Sequence, residues 1–309
     1  MREKVYILGG SGFVGKHLSV FLSTDYDVTV FDKWIDEDYF SKFSQINICK
    51  LDLIKEQIPL SYSVPLFIIN TASSLVTASR NMDEIGQLIA DDTNILMNIF
   101  NRFANQSELK LFVQFGSVEE YGTAKSPFDE SQREEPNSTY ALLKQTTSNL
   151  AKILQINYNF PSTVVRPGNL FGLYQSKQRF ISYVYNNLSE NKELKVTGCE
   201  QKRDFIYIDE FVKIISKILL NYQSFVGEIV NVSSGKSTRL MDIIEQLKEL
   251  LHSDSIIHYG KIPYRENESM NFECRIEKLE RLLNEKININ INKNLIEYME
   301  QMLTQNKER

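Results

Sequence analysis

The chain has 309 residues, 42% of them hydrophobic and 24% charged, with a formal net charge of −5. That length suits one large α/β domain or two domains around a buried core, and the acidic balance gives no electrostatic footprint for a nucleic-acid partner. Cys49, Cys199 and Cys274 form no CxxC pair, and His17, His252 and His258 have no metal-ligand spacing; this argues against a zinc site and for free thiols in a reducing compartment.

The first expected strand, 4–8, begins a few residues after Met1. That leaves no room for a signal peptide, and no apolar run is long enough to span a membrane, so a soluble cytoplasmic protein is expected. Along the chain, short apolar runs alternate with helical patterns, the βαβ signature of a parallel sheet. Strands are predicted over 4–8, 27–31, 46–51, 66–70, 110–115 and 162–166, with a later one over 229–232, and helices over 13–24, 85–105 and 139–157. Pro136-Asn137-Ser138-Thr139 supplies breaker and cap residues before the last of these helices. The expected fold is a Rossmann-type doubly wound α/β sheet with a smaller α/β substrate domain. Residues 1–168, with 203–233 returning to them, would form the nucleotide-binding part; 169–202 and 234–309 would form the substrate-binding part. Helical patterns over 177–192, 209–222, 238–252 and 276–284 populate the second half. The alternating tract Lys286–Lys293 reads as a short strand or as biased composition.

Gly9, Gly12 and Gly15 follow the strand 4–8, and Phe13-Val14 open the next helix. A strand, a glycine turn and a helix start present backbone N–H groups and a positive helix end to a pyrophosphate. Asp32 ends the second strand, where a carboxylate can accept both hydrogen bonds of an adenosine ribose diol and repel a 2′-phosphate. NAD(H) is therefore expected; Lys33 beside Asp32 weakens the discrimination and leaves NADP(H) open. Asp52, at the end of the third strand, reads either as a contact to the adenine edge or as a plain loop residue.

The chemical signal is Tyr140-Ala141-Leu142-Leu143-Lys144, with Ser117 upstream at the end of the strand 110–115. Tyr140 and Lys144 lie one turn apart on one helix face. A free phenol holds its proton too tightly for exchange near neutrality; a lysine ammonium and a nicotinamide charge beside it favour the phenolate. Tyr140 would then exchange a proton with a carbonyl or alcohol oxygen, and Ser117 would donate a hydrogen bond to that oxygen and polarise it. Lys144 would also hold the nicotinamide ribose.

With these residues in place the chain resembles the extended short-chain dehydrogenase/reductase family of nucleotide-sugar epimerases and dehydratases. The resemblance runs through Gly9-x-x-Gly12-x-x-Gly15, Asp52-Leu53, Asn70-Thr71-Ala72-Ser73, Gly116-Ser117-Val118-Glu119-Glu120-Tyr121-Gly122, Tyr140-x-x-x-Lys144, Arg166-Pro167-Gly168-Asn169-Leu170-Phe171-Gly172 and Arg203-Asp204-Phe205-Ile206-Tyr207-Ile208-Asp209. It implies a cofactor site that includes Leu53 and Ala72 and a nucleotide-sugar substrate. Asn169 would bind substrate phosphate, and Arg203 and Arg265 the diphosphate or base. It also implies a homodimer through the helices 85–105 and 139–157.

The departures from the family narrow the reaction. Its 4,6-dehydratases carry an acid or hydrogen-bonding residue and then a glutamate after the Ser/Thr position; here Val118 stands in the first place and Glu119 in the second. Valine cannot protonate a leaving C6 hydroxyl. The segment looks more like 4-ketoreductases of nucleotide-linked 4-keto-6-deoxyhexoses, and reduction of a dTDP-linked 4-keto sugar for a bacterial surface polysaccharide (O-antigen) is the expected activity. Glu119 either contacts the sugar near C4–C6 or only hydrogen-bonds locally. The rivals are a 4-epimerase holding NAD tightly and, less favoured, a non-catalytic dinucleotide sensor. Asp92 stands where the family often has an asparagine.

Overall fold

A computed structural model of the chain describes residues 2–74, 84–266 and 268–307. Its strands, in chain order, are β1 (Lys4–Leu8), β2 (Asp27–Asp32), β3 (Asn47–Lys50), β4 (Phe67–Asn70), β5 (Leu111–Phe115), β6 (Ser162–Pro167), β7 (Asn169–Phe171), β8 (Leu194–Lys195), β9 (Lys202–Tyr207), β10 (Ile229–Val232), β11 (Ser237–Arg239), β12 (Ile257–His258) and β13 (Asn271–Phe272). The helices are α1 (Phe13–Leu22), α2 (Glu37–Phe40), α3 (Ile85–Phe103), α4 (Thr139–Tyr158), α5 (Phe180–Ser189), α6 (Ile208–Leu220), α7 (Tyr222–Phe225), α8 (Leu240–Leu250), α9 (Glu277–Leu283) and α10 (Ile291–Lys307).

Seven strands form one parallel sheet in the order β10-β6-β5-β4-β1-β2-β3. Both faces are covered, so the central strands read as unbroken apolar runs rather than alternations; β4 and β5 are buried at every residue. One face packs Val5, Ile7, Val28, Val30, Ile69 and Val113, and the other Tyr6, Leu8, Phe31, Ile68 and Phe112. The expected doubly wound sheet is thus the one observed. The strand order reverses between β1 and β4, and a ligand crevice opens outside the carboxyl ends of the strands at such a switch point.

A second, four-stranded sheet holds β9 beside β7, β11 and β13. The stretch 203–233 is therefore shared between two sheets. Its first strand lies in the smaller one, α6 packs on α1, and β10 joins the main sheet beside β6. Asp204 ties this sheet together. Fully buried, it accepts from Ser234 N (2.9 Å), Ser234 Oγ (2.5 Å), Gly235 N (3.1 Å) and Cys274 N (3.2 Å).

Residues 286–290 form neither a strand nor a helix. Asn290 Oδ1 accepts from Asn292 N (3.0 Å) and Lys293 N (3.3 Å) and so starts α10, in which Leu295 and Tyr298 are buried. The period-2 alternation of Ile and Asn belongs to an extended connection whose Ile289 reaches the core. Among the described residues, no helix is long and apolar enough to cross a membrane and no cluster of His, Cys, Asp or Glu could hold a metal ion.

Candidate active site

The glycine turn sits at the switch point. Gly9 adopts φ +76, and a Cβ there would lie 2.6 Å from Ala72 N on the chain leaving β4. A Cβ on Gly15 would lie 2.4 Å from Gly9 O, so the first turn of α1 can press against the loop only as glycine. Gly12 is the N-cap residue of α1, with no side chain over the helix end. Phe13 and Val14, in the first turn of α1, pack on the core below. A turn of bare backbone at a helix N-terminus fits a pyrophosphate.

Asp32 lies against this turn. Its carboxylate accepts from Ser11 N (3.0 Å) and Trp34 N (3.1 Å). Asp52 caps its own turn, accepting from Ile54 N (3.2 Å) and pairing with Lys55. Leu53 is buried, and Ala72 packs on the same apolar cluster. These contacts fit NAD. Asp92 in α3 accepts from Ser73 Oγ (2.7 Å) and Ser74 N (2.6 Å), and thereby anchors the segment leaving β4.

Ser117 and Lys144 meet at the carboxyl end of β5. Lys144 is almost wholly buried; its ammonium donates to Phe115 O (3.3 Å) and lies 5.9 Å from the Tyr140 ring centroid. Tyr140 is half-buried in the first turn of α4, which Ser138 caps by accepting from Ala141 N. Ser117 caps the short 3-10 turn Val118–Tyr121, its Oγ accepting from Glu119 N (3.1 Å). The Lys144 cation and the Tyr140 ring thus stand near the strand end that Ser117 follows, groups suited to proton transfer at a bound oxygen.

Val118 is buried with Tyr121, Phe128, Phe272 and Cys274, so the residue after Ser117 packs into an apolar cluster. Glu119 is half-buried. Burial pushes its carboxyl up, against the pull of Arg203, Arg179 and Arg265. Arg203 is ion-paired with Glu268 and also donates to Ser269 O (2.8 Å); burial pulls its guanidinium down, which Glu268 and Glu119 oppose. The Asn169 amide donates to Asp204 O (3.2 Å), and Asn169 pairs in register with Phe205, two residues past Arg203, while Arg265 is exposed.

Four residues carry contacts here that the sequence did not reveal. Arg179 stands at the N-cap of α5 with no motif around it. Glu268, three residues past Arg265, pairs with Arg203. Glu120 and Arg166, both inside the quoted motifs, form a buried ion pair under Ser117. A carboxylate and a guanidinium far apart in sequence give no local sign that they will meet.

Residues 5–233 match the model of the NAD dependent epimerase/dehydratase family. The chain is 34% identical to the CDP-abequose synthase of Salmonella muenchen over 118 residues, 38% of this chain and 40% of that protein. It is 26% identical over 277 residues to the dTDP-4-dehydro-6-deoxyglucose reductase of Escherichia coli, covering 84% of this chain and 85% of that one. It is 22% identical over 304 residues to the dTDP-D-glucose 4,6-dehydratase of Mus musculus, 91% of this chain and 83% of that one. The UDP-glucuronic acid 4-epimerase of Bacillus cereus, solved with UDP-glucuronic acid and NAD, superposes with a TM-score of 0.86 at 18% identity, over 97% of this chain and 99% of that one. That likeness establishes the fold.

Proposed function

The chain belongs to the NAD-dependent epimerase/dehydratase family, and from that premise we propose that it reduces the C4 ketone of a nucleotide-linked 4-keto-6-deoxyhexose. A dTDP-linked sugar is the first candidate, and the product would serve a bacterial surface polysaccharide. The observation that carries this reading is the apolar seat of Val118 beside Ser117. It denies the site the acid that a 4,6-dehydratase needs, while Ser117, Tyr140 and Lys144 stay grouped at the strand end. The relation to a ketosugar reductase over most of both chains supports it.

When bound, NADH supplies the hydride for C4. Tyr140 gives its proton to O4 as charge develops there, and Ser117 donates a hydrogen bond that orients and stabilises the same oxygen. Lys144, held by Phe115 O, keeps a positive charge beside the phenol and holds the nicotinamide ribose. Gly9, Gly12 and Gly15 receive the pyrophosphate, Asp32 the ribose diol, and Asn169, Arg203 and Arg265 the sugar-nucleotide diphosphate. Arg179, whose charge pulls on the Glu119 carboxyl, would join that set. Residues 1–168 with α6 and β10 would carry the cofactor, and the β7–β9–β11–β13 sheet with the C-terminal helices the substrate.

The protein would work in the cytoplasm as a homodimer. Exposed Ile153 and Ile156 on α4 support a dimer face on α3 and α4.

The test is a panel of dTDP-, CDP-, GDP- and UDP-linked sugars, keto and non-keto, with NADH and NADPH. Nicotinamide oxidation is followed optically and the products are assigned by NMR. Stoichiometric NADH oxidation with a 4-keto-6-deoxy sugar is the expected result. Turnover of a non-keto UDP-hexose without net nicotinamide change would make the protein a 4-epimerase.

A further inference from the structure

We propose that Glu120 is a positioning residue of the chemical site: its buried carboxylate, clamped by Arg166, locks the backbone of Ser117 to the Tyr140–Lys144 face of α4. The inference rests on the reading of Ser117, Tyr140 and Lys144 as the chemical centre.

Glu120 is fully buried and Arg166 is 1% exposed. Arg166 Nε donates to Glu120 Oε2 (2.9 Å), and Nη2 lies 2.8 Å from the same oxygen. Arg166 is itself fixed by Glu134 and by the Tyr121 ring, whose centroid lies 4.8 Å from its guanidinium carbon. The second carboxylate oxygen faces the active site. Oε1 accepts from Ser117 N (2.8 Å) and from Ser148 Oγ (2.9 Å).

Ser148 lies one turn beyond Lys144, so Tyr140, Lys144 and Ser148 follow at i, i+4 and i+8 on one face of α4. That face is bonded to the end of β5 at two points, Lys144 to Phe115 O and Ser148 to Glu120. One oxygen therefore joins the hydroxyl donor's backbone to the helix that carries the phenol.

Gly116 leaves the room for it. A Cβ there would lie 2.3 Å from Glu120 Oε1 and 2.7 Å from Ser148 Oγ.

The bond from Ser117 N to Glu120 also closes a capping box on the 3-10 turn, but a local cap needs neither Arg166 nor Ser148. A buried ion pair costs so much desolvation that apolar residues of equal volume hold two elements at least as well. What apolar residues cannot supply is an acceptor shared by Ser117 N and Ser148 Oγ. Catalysis depends on such sharing, because displacing a reacting group by about 1 Å can cost on the order of 10²-fold in rate.

The test compares Glu120→Gln, Ser148→Ala and the double variant with the wild type. The assay is whichever turnover the wild type shows, reductive or epimerising, so failure of the ketone-reduction reading shows in the wild type and leaves this comparison standing. Glu120→Gln should lower kcat about 10²-fold, with KM for the sugar nucleotide and the NADH Kd, measured by NADH fluorescence, held within about twofold. Ser148→Ala should lower kcat by a smaller factor, and the double variant should be no slower than Glu120→Gln, because both act through one oxygen. Wild-type kcat in Glu120→Gln with only a lowered Tm would overturn the proposal, as would effects that multiply in the double variant. If Glu120→Gln does not fold, wild-type kcat in Ser148→Ala overturns it.

Discussion

At the β5 end of the crevice, Ser117, Lys144 and Glu120 are each less than 10% exposed and are held by hydrogen bonds to neighbouring elements. On the opposite side Arg265 is exposed, and Arg203 takes its ion pair from Glu268, in the same loop that carries Arg265. The difference follows from what each side has to do. A proton passes only between atoms held within hydrogen-bond reach, so its donors need a rigid seat. A diphosphate can be met by long side chains re-aimed from a loop, because guanidinium forks tolerate several approach angles and the substrate brings its own charge.

Changes on the rigid side should therefore appear in kcat and changes on the loop side in KM. The largest effect is expected from Tyr140→Phe, which removes the proton but keeps the ring near Lys144. Turnover should fall by about 10³-fold, while the NADH Kd changes little. Comparable turnover in this variant would remove Tyr140 from the mechanism. Arg203→Ala should raise KM for the sugar nucleotide by roughly 10- to 100-fold, with kcat changed far less, because a charge-assisted contact to the diphosphate is lost in ground and transition state alike. A matching loss in kcat would place Arg203 on the rigid side instead.

Glu268→Gln should act in the opposite sense. It frees Arg203 from its carboxylate, so KM should fall by about two- to fivefold at low ionic strength, with less change at high salt. The smallest effect is expected at the Lys16–Asp36 pair, beside the glycine turn. The hydrogen bond and charge of Lys16 hold the Asp36 carboxyl below its usual range. A lowered carboxylate stabilises the fold above the unfolded-state range, and that stability is lost as pH falls through it. Asp36→Asn should be less stable than the wild type at pH 7 by under about 1 kcal/mol, the pair being near the surface. The gap in denaturant midpoint should close as pH falls below about 4.

The same contrast explains what could be read from the sequence. The chemical side is written in local spacing: Tyr140 and Lys144 are one helical turn apart, Ser117 ends an apolar strand, and the glycines follow β1. Helices expected over 85–105 and 139–157 stand at 85–103 and 139–158; the second starts where its breaker and cap residues place it, at Ser138. The loop side depends on pairings between distant segments. Arg203 with Glu268, and Asp204 with Ser234 and Cys274, have no periodicity to announce them.

β7, of three residues, and β9, of six, are likewise set by the sheet they join rather than by their own composition. The tract Lys286–Lys293 forms no strand for a related reason: its alternation marks a connection whose Ile289 is buried and whose Ile287 and Ile291 pack against the core, and the signal that matters is Asn290 capping α10.

The central claim is that Ser117, Tyr140 and Lys144 serve net reduction at C4. The most direct measurement follows deuterium from NADH labelled at its transferable C4 position into the product of a nucleotide-linked 4-keto-6-deoxyhexose. One deuterium at the sugar C4 for each nicotinamide oxidised is the predicted result. An inverted C4 in a non-keto sugar, carrying only substrate hydrogen and formed without nicotinamide consumption, would contradict it.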